Sequence, residues 1–125
     1  MTISLMTQYF KDNMKERQQE IDYCMERNCK NKLIDNIYLF TDEKDSKPSI
    51  VNKKIQHINL NRRLTFNDCI HYANKHLNNH ICIISNVDIY FDGSLDRLNK
   101  ASLDNKMLAI TRYEFKNDKE AKLWY

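Results

Sequence analysis

Asn86-Val-Asp88, with Asp92 four residues further on, carries the spacing best suited to metal chemistry in this 125-residue chain. Side chains alternate faces along an extended backbone, so Asn86 and Asp88 share a face and can converge on one ligand. Asp92 is roughly 13 Å away at about 3.3 Å per residue and joins them only if the chain turns. An amide oxygen and a carboxylate suit a hard divalent cation that keeps several waters and takes other oxygens from substrate phosphates. Other chemistries are excluded by composition. Gly93 is the only glycine, and dinucleotide fingerprints, P-loops and serine elbows all need several glycines for close backbone approach. His57, His71, His76 and His80 contain no H-x-x-x-H pair, so no zinc site is expected. Cys24, Cys29, Cys69 and Cys82 fall in apolar patterns without a CxxC pair; they read as small core residues in a reducing compartment, not as activated thiols.

These residues must be positioned by alternating strands and helices. Ile3 to Met6 fits a first strand, with Thr7 to Phe10 as its exit loop. Met14 to Cys29 reads as an amphipathic helix, with Met14, Ile21, Cys24 and Met25 at helical spacing. Asn36 to Thr41 is apolar enough for a strand covered on both faces. A charged surface loop, Asp42 to Lys54 with Pro48, leads to a third strand, Ile55 to Leu60, near an edge. Thr65 followed by Asp68 resembles a capping box, and Leu64 with Cys69 the accompanying hydrophobic staple. The helix they open runs from Thr65 to about Leu77, shows one apolar face at Phe66, Cys69, Ile70, Ala73 and Leu77, and stops at Asn78-Asn79. Ile81 to Ile84, the most apolar run, is expected as the central strand of a parallel sheet. A short helix near Ser94 to Asn99 and a strand from Met107 to Thr111 complete a β-α-β-β-α-β-α-β series, an α/β fold with a mostly parallel sheet covered by helices. Ligands of such sheets gather beyond the carboxyl ends of the strands, here at Thr7 to Phe10, Thr41 to Glu43, Ser85 to Asp92 and from Arg112 onward.

Composition narrows the partners. A hydrophobic fraction of 42% in 125 residues supplies one core and one domain, residues 1–125. The net charge of +3 comes from 20 basic against 17 acidic side chains spread along the chain, which describes a solvated surface and not a nucleic-acid footprint. Lys53-Lys54 and Arg62-Arg63 lack the interleaved aromatics of a single-strand binder. Ile3 to Met6 is too short for a signal sequence or a membrane span, so the expected location is cytoplasmic.

Taken in order, Ser4-Leu-Met-Thr-Gln-Tyr-Phe10, Arg17-Gln-Gln-Glu-Ile21, Asn36-Ile-Tyr-Leu-Phe40, Arg63-Leu-Thr-Phe-Asn-Asp68, Ala73-Asn74 and Ser85-Asn-Val-Asp-Ile-Tyr-Phe-Asp92 resemble the GT-A-fold glycosyltransferases, most of all a subgroup from large DNA viruses, environmental and bacterial sequences. The resemblance covers nearly the whole chain and roughly the first half of such an enzyme, so it implies a Rossmann-like nucleotide-binding domain truncated on its C-terminal side. It implies that Asn86-Val-Asp88 is a variant of the Asp-x-Asp motif, with Asp88 the carboxylate that holds manganese or magnesium against the diphosphate. It further implies that Thr7, Gln8 and Tyr9 lie against the nucleoside of a UDP- or GDP-sugar, that Asp68 approaches the base or ribose, and that Ile110-Thr-Arg112-Tyr113 is the strand after the motif. A second copy or a partner chain would supply the missing half.

Plainer readings stand beside these. Asp88 is also placed to close an ordinary turn, Asn86 to bond local backbone, and Asp68 to cap a helix and nothing more. Arg17 and Glu20 form a solvated pair or a phosphate clamp; Arg112 neutralises a diphosphate or coats the surface. For a general base, Asp92, Glu114 and Asp118 have only position in their favour. Two functions follow: a glycosyltransferase-like protein binding a nucleotide sugar through a divalent cation, or a catalytically inactive remnant that works as a protein-interaction module.

Overall fold

The computed structural model describes residues 1–42 and 50–110 in full and the backbone of residues 113–116 and 120–123. Its centre is β1, Ile3–Tyr9, a strand whose first five residues are all buried. Ile3, Leu5 and Tyr9 join one apolar cluster with Ile21 and Met25, while Met6 joins a second with Cys69 and Leu77. Alternation along one strand thus feeds two cores, one on each face of the sheet. β1 is paired in parallel on both sides, by β2 (Asn36–Thr41) and by β4 (Ile81–Ile84), and β3 (Ile55–Asn59) extends the sheet beyond β2. The order β3-β2-β1-β4 makes a four-stranded, all-parallel α/β sheet, compatible with a Rossmann-like fold.

Three expectations about the strands change. β1 runs on through Thr7, Gln8 and Tyr9, because β2 stays in register with it from Ser4↔Asn36 to Tyr9↔Thr41; the exit loop begins only at Phe10. β4 is not central: among the described residues it pairs with β1 alone and forms an edge. Its run of apolar residues reports cover on both faces, Ile81 and Ile83 against the first core and Cys82 and Ile84 against the second. An apolar sequence records such cover but not how many strands lie alongside. Met107 to Ile110 form no strand and are exposed. Thr111, Pro48 and Arg112 lie outside the described residues. A separate antiparallel pair joins β5 (Tyr113–Lys116) to β6 (Glu120–Leu123).

Helix α1, Lys15–Lys30, buries Ile21, Cys24, Met25, Asn28 and Cys29, a stripe at helical spacing. Met14 is its N-cap and is exposed, contrary to its expected place in that stripe. Helix α2, Phe66–His76, opens with the anticipated capping box. The Asp68 backbone N–H donates to Thr65 Oγ1 at 3.2 Å, and Thr65 N–H donates to Asp68 Oδ2 at 2.9 Å. Leu64 and Cys69 share the second core, as a staple requires. The inward face of α2 is carried by Cys69, Tyr72, Ala73 and Leu77, with Tyr72 edge-on to Phe40 at 5.7 Å; Phe66 and Ile70 are turned outward. Asn79, in the left-handed region at φ 65, ends the connection to β4 as predicted. A 3-10 turn, Gly93–Leu95, leads into α3, Asp96–Lys100.

The α2 cap is open to test. Thr65→Ala is expected to cost about 1 kcal/mol in urea unfolding. Arg62 first, then Thr65, holds the Asp68 carboxyl well below the usual range. A depressed folded-state pKa stabilises above the unfolded value of about 3.9, and that stabilisation is lost as pH falls through the folded one. Asp68→Asn is therefore expected to lower the melting temperature at neutral pH, with the difference from wild type shrinking under acid; a constant difference down to the acid limit would contradict it.

Candidate functional site

The helices on the two sides of the sheet fix where a ligand can reach it. α1 follows β1 and covers the first core, whereas α2 precedes β4 and covers the second. The chain therefore leaves β1 toward one neighbour while β4 arrives on the other side, and the crevice beyond their carboxyl ends is a topological switch point. β4 pairing stops at Met6↔Ile84, where Ser85 N–H still donates to the Met6 carbonyl at 3.3 Å. Beyond this point the backbone turns, with Ile89 N–H donating to the Asn86 carbonyl at 3.3 Å. Val87 is buried in the α1-side core, Asn86 is exposed, and Asp88 is half-buried. The turn removes the extended alternation on which a shared face for Asn86 and Asp88 depended.

Asp88 instead meets α1. Its Oδ2 is 3.0 Å from the Arg17 guanidinium, which also reaches Glu20 at 3.3 Å. The Asp88 charge is the largest influence holding the Arg17 pKa above its ordinary value. The segment that carries Asp88 is fixed further along by two asparagines of α1. Asn28, 2% exposed, donates through Nδ2 to the Ile89 carbonyl at 2.9 Å and accepts through Oδ1 from Phe91 N–H at 3.0 Å. Asn31 Nδ2 donates to the Phe91 carbonyl at 2.9 Å. Sequence reasoning overlooked Asn28, although a polar residue inside the Ile21-Cys24-Met25-Cys29 stripe is a signal that something must bond it.

The other candidate residues are used locally. Tyr9 is buried under α1, its hydroxyl donating to Asp22 at 3.0 Å and accepting from Gln18 at 2.8 Å; burial first, then Asp22, pushes its pKa up to about 12. Gln8 clamps the approach to α2, accepting from Leu64 N–H at 2.9 Å and donating to the Arg62 carbonyl at 3.2 Å. Asp68 is engaged by Thr65 and by both terminal nitrogens of Arg62. Asp92 caps the turn before α3, accepting from Ser94 N–H at 2.9 Å; hydrogen bonding by the Ser94 side chain first, then by its backbone, lowers the Asp92 pKa. Of the remaining base candidates, Glu114 lies on β5 and Asp118 outside the described residues. Thr7 alternates with Leu5 and Tyr9 on the α1 side of β1, and its 1%-exposed hydroxyl has no hydrogen-bond partner among the described residues. Burial pushes the Cys24 and Cys69 thiols up to about 11, unsuited to nucleophilic work.

Among the described residues no three His, Cys, Asp or Glu side chains converge as a metal cage, and no helix is long and apolar enough to cross a membrane. The chain matches no protein-family model, no curated protein and no solved structure.

Asn28→Ala is expected to destabilise the fold by about 2 kcal/mol, since it strands the part-buried Ile89 carbonyl and Phe91 N–H. Urea unfolding measures it. Thr7→Val, which deletes the unpartnered hydroxyl at nearly constant shape, is expected to be neutral or to stabilise by about 1 kcal/mol in the same assay.

Proposed function

We propose that this domain binds the diphosphate of a nucleotide sugar at the β1/β4 switch point, in the manner of a GT-A glycosyltransferase, with Asp88 as the residue that holds a divalent cation. One observation carries the reading. The all-parallel order β3-β2-β1-β4 reverses direction between β1 and β4, and Asp88 follows the end of β4, 26% exposed beside a guanidinium. The donor set fits manganese or magnesium only in a restricted way. A single carboxylate near an exposed amide makes no cage, but it suits a cation that keeps its waters and arrives with phosphate oxygens. Such a cation supplies Lewis acidity toward the departing diphosphate. The chain's own part is to hold Asp88 at the crevice through Asn28 and Asn31 and to offer the Arg17 charge beside it. Thr7 and Tyr9, buried beneath α1, shape the wall of the site and do not stack on a base.

The second reading, a protein-interaction module, is favoured by the exposure of Met107, Leu108 and Ile110 and of Phe66 on α2. The two readings separate in one experiment. Titration of UDP and GDP with and without Mn2+ is expected to show manganese-dependent binding to the wild type and its loss in Asp88→Asn, which keeps the volume and removes the charge. Melting temperatures of the two proteins should differ little, because a partly exposed ion pair contributes only about 0–1 kcal/mol. Equal manganese-dependent binding by both proteins would remove the cation from Asp88. No nucleotide binding by either would leave the interaction module.

A further inference from the structure

Arg17 stands where helix electrostatics disfavour it. It occupies the third helical position of α1, two residues after Lys15, so the first turn holds two cations and only Glu16 as an acid. The positive end of the helix dipole repels such charges. The N-cap, Met14, supplies no side-chain hydrogen bond to relieve the first-turn N–H groups. What compensates Arg17 in this structure is a pair of carboxylates, Glu20 at 3.3 Å on its own helix and Asp88 at 3.0 Å from the exit of β4. Asp88 is 71 residues away in sequence, and the bond joins the first turn of α1 to the segment that follows β4. Both partners keep solvent contact, with 42% of the Arg17 side chain and 26% of Asp88 exposed. An ion pair that exposed is weak and exchangeable. A planar guanidinium that keeps 42% of its side chain in solvent beside the end of β4 matches the bidentate geometry of phosphate oxygens.

We infer that Arg17 is the diphosphate ligand of this domain, and that its ion pair with Asp88 is the resting form of an exchangeable site. An incoming diphosphate takes the guanidinium, and Asp88, released from Arg17, becomes free to hold a cation. The ligand class rests on the nucleotide-sugar reading; the anion-binding role of Arg17 is tested without nucleotide or metal. Local rules broken in sequence without a stability gain concentrate at functional sites, and two cations in the first turn of α1 break one.

Calorimetric titration of the whole chain with inorganic pyrophosphate in EDTA decides the matter. The wild type is expected to bind, more weakly as salt rises. Arg17→Gln is expected to lose about ten- to a hundredfold in affinity, as when one charge-assisted hydrogen-bonding partner is removed. Mn2+ alone should bind Arg17→Gln more tightly than the wild type, because Asp88 no longer has a competing cation. A wild type that ignores pyrophosphate, or an Arg17→Gln protein that binds it equally well, overturns the inference. Should Arg17→Gln fail to fold, the wild type still decides: pyrophosphate must protect Arg17 from phenylglyoxal, read by mass spectrometry of the peptide, and unprotected labelling overturns it. Manganese-dependent nucleotide binding that survives in Arg17→Gln removes the role of Arg17 and leaves the nucleotide reading intact. Pyrophosphate binding through Arg17 without any nucleotide binding does the reverse.

Discussion

The structure depends on β1 being enclosed from four directions. Its backbone is paired by β2 on one side and β4 on the other, and its side chains enter a core on each face. A strand in that position needs a helix over each face, and parallel neighbours need crossovers long enough to supply one. α1 and α2 meet both demands. α1 returns the chain to β2, whereas α2 carries it from the far edge at β3 beneath the whole sheet to β4. The chain leaves β1 and β4 at the same end of the sheet, and the segment after β4 packs against α1 through Val87 and through bonds from Asn28 and Asn31. The meeting of Asp88 with Arg17 follows from that packing, at the end of a strand that buries six of its seven residues.

Loops are shaped by side-chain amides and carboxylates where many proteins use glycine. Gly93, the only glycine in the sequence, does not adopt a left-handed conformation; among the described residues the left-handed positions are Asn79 and Asn105. Asn28 and Asn31 hold the segment after β4, Gln8 holds the approach to α2, and Asp35 accepts from the Ile3 N–H at the start of β1 at 2.8 Å. Each of these bonds joins residues distant in sequence, so these segments are tied to the sheet or to α1 instead of depending on their own turn geometry alone. Buried or half-buried amides of this kind stabilise only when both their donor and acceptor are used, and in Asn28 and Gln8 both are.

What was legible in the sequence was what neighbouring residues decide among themselves. Asn36–Thr41 appeared with its true ends, and the Thr65–Asp68 cap and the left-handed Asn79 were visible, because caps and turns depend on a few consecutive side chains. Less legible was anything set by which strand lies beside which. Ile81 to Ile84 has the composition of a central strand and the location of an edge, and the polar Thr7, Gln8 and Tyr9 continue β1 only because β2 is there to pair with them. The site shows the same division. Asp88 was singled out from its distance after an apolar run, but its partner Arg17 looked like half of a local pair with Glu20, since no spacing rule links residues 71 apart. Asn86 and Asp88 were placed on one face by assuming extended backbone, which a buried Val87 and the turn around it replace. The oxygen atoms of Tyr9 and Asp68 looked available because the sequence does not display the Asp22, Gln18 and Arg62 groups that occupy them.

The two edges of the sheet are chemically unlike. β3 presents exposed Gln56, His57 and Asn59, polar side chains that favour water over another strand. β4 presents Ile-Cys-Ile-Ile with no charge and no proline, the devices that usually blunt an edge. Neither edge carries a proline or a formal charge, so the two differ in how apolar a strand each offers to a neighbour. A strand added beside β4 would widen the domain on the side of Asp88 without disturbing the β1/β2 half, and would turn β4 from a border into an interior strand.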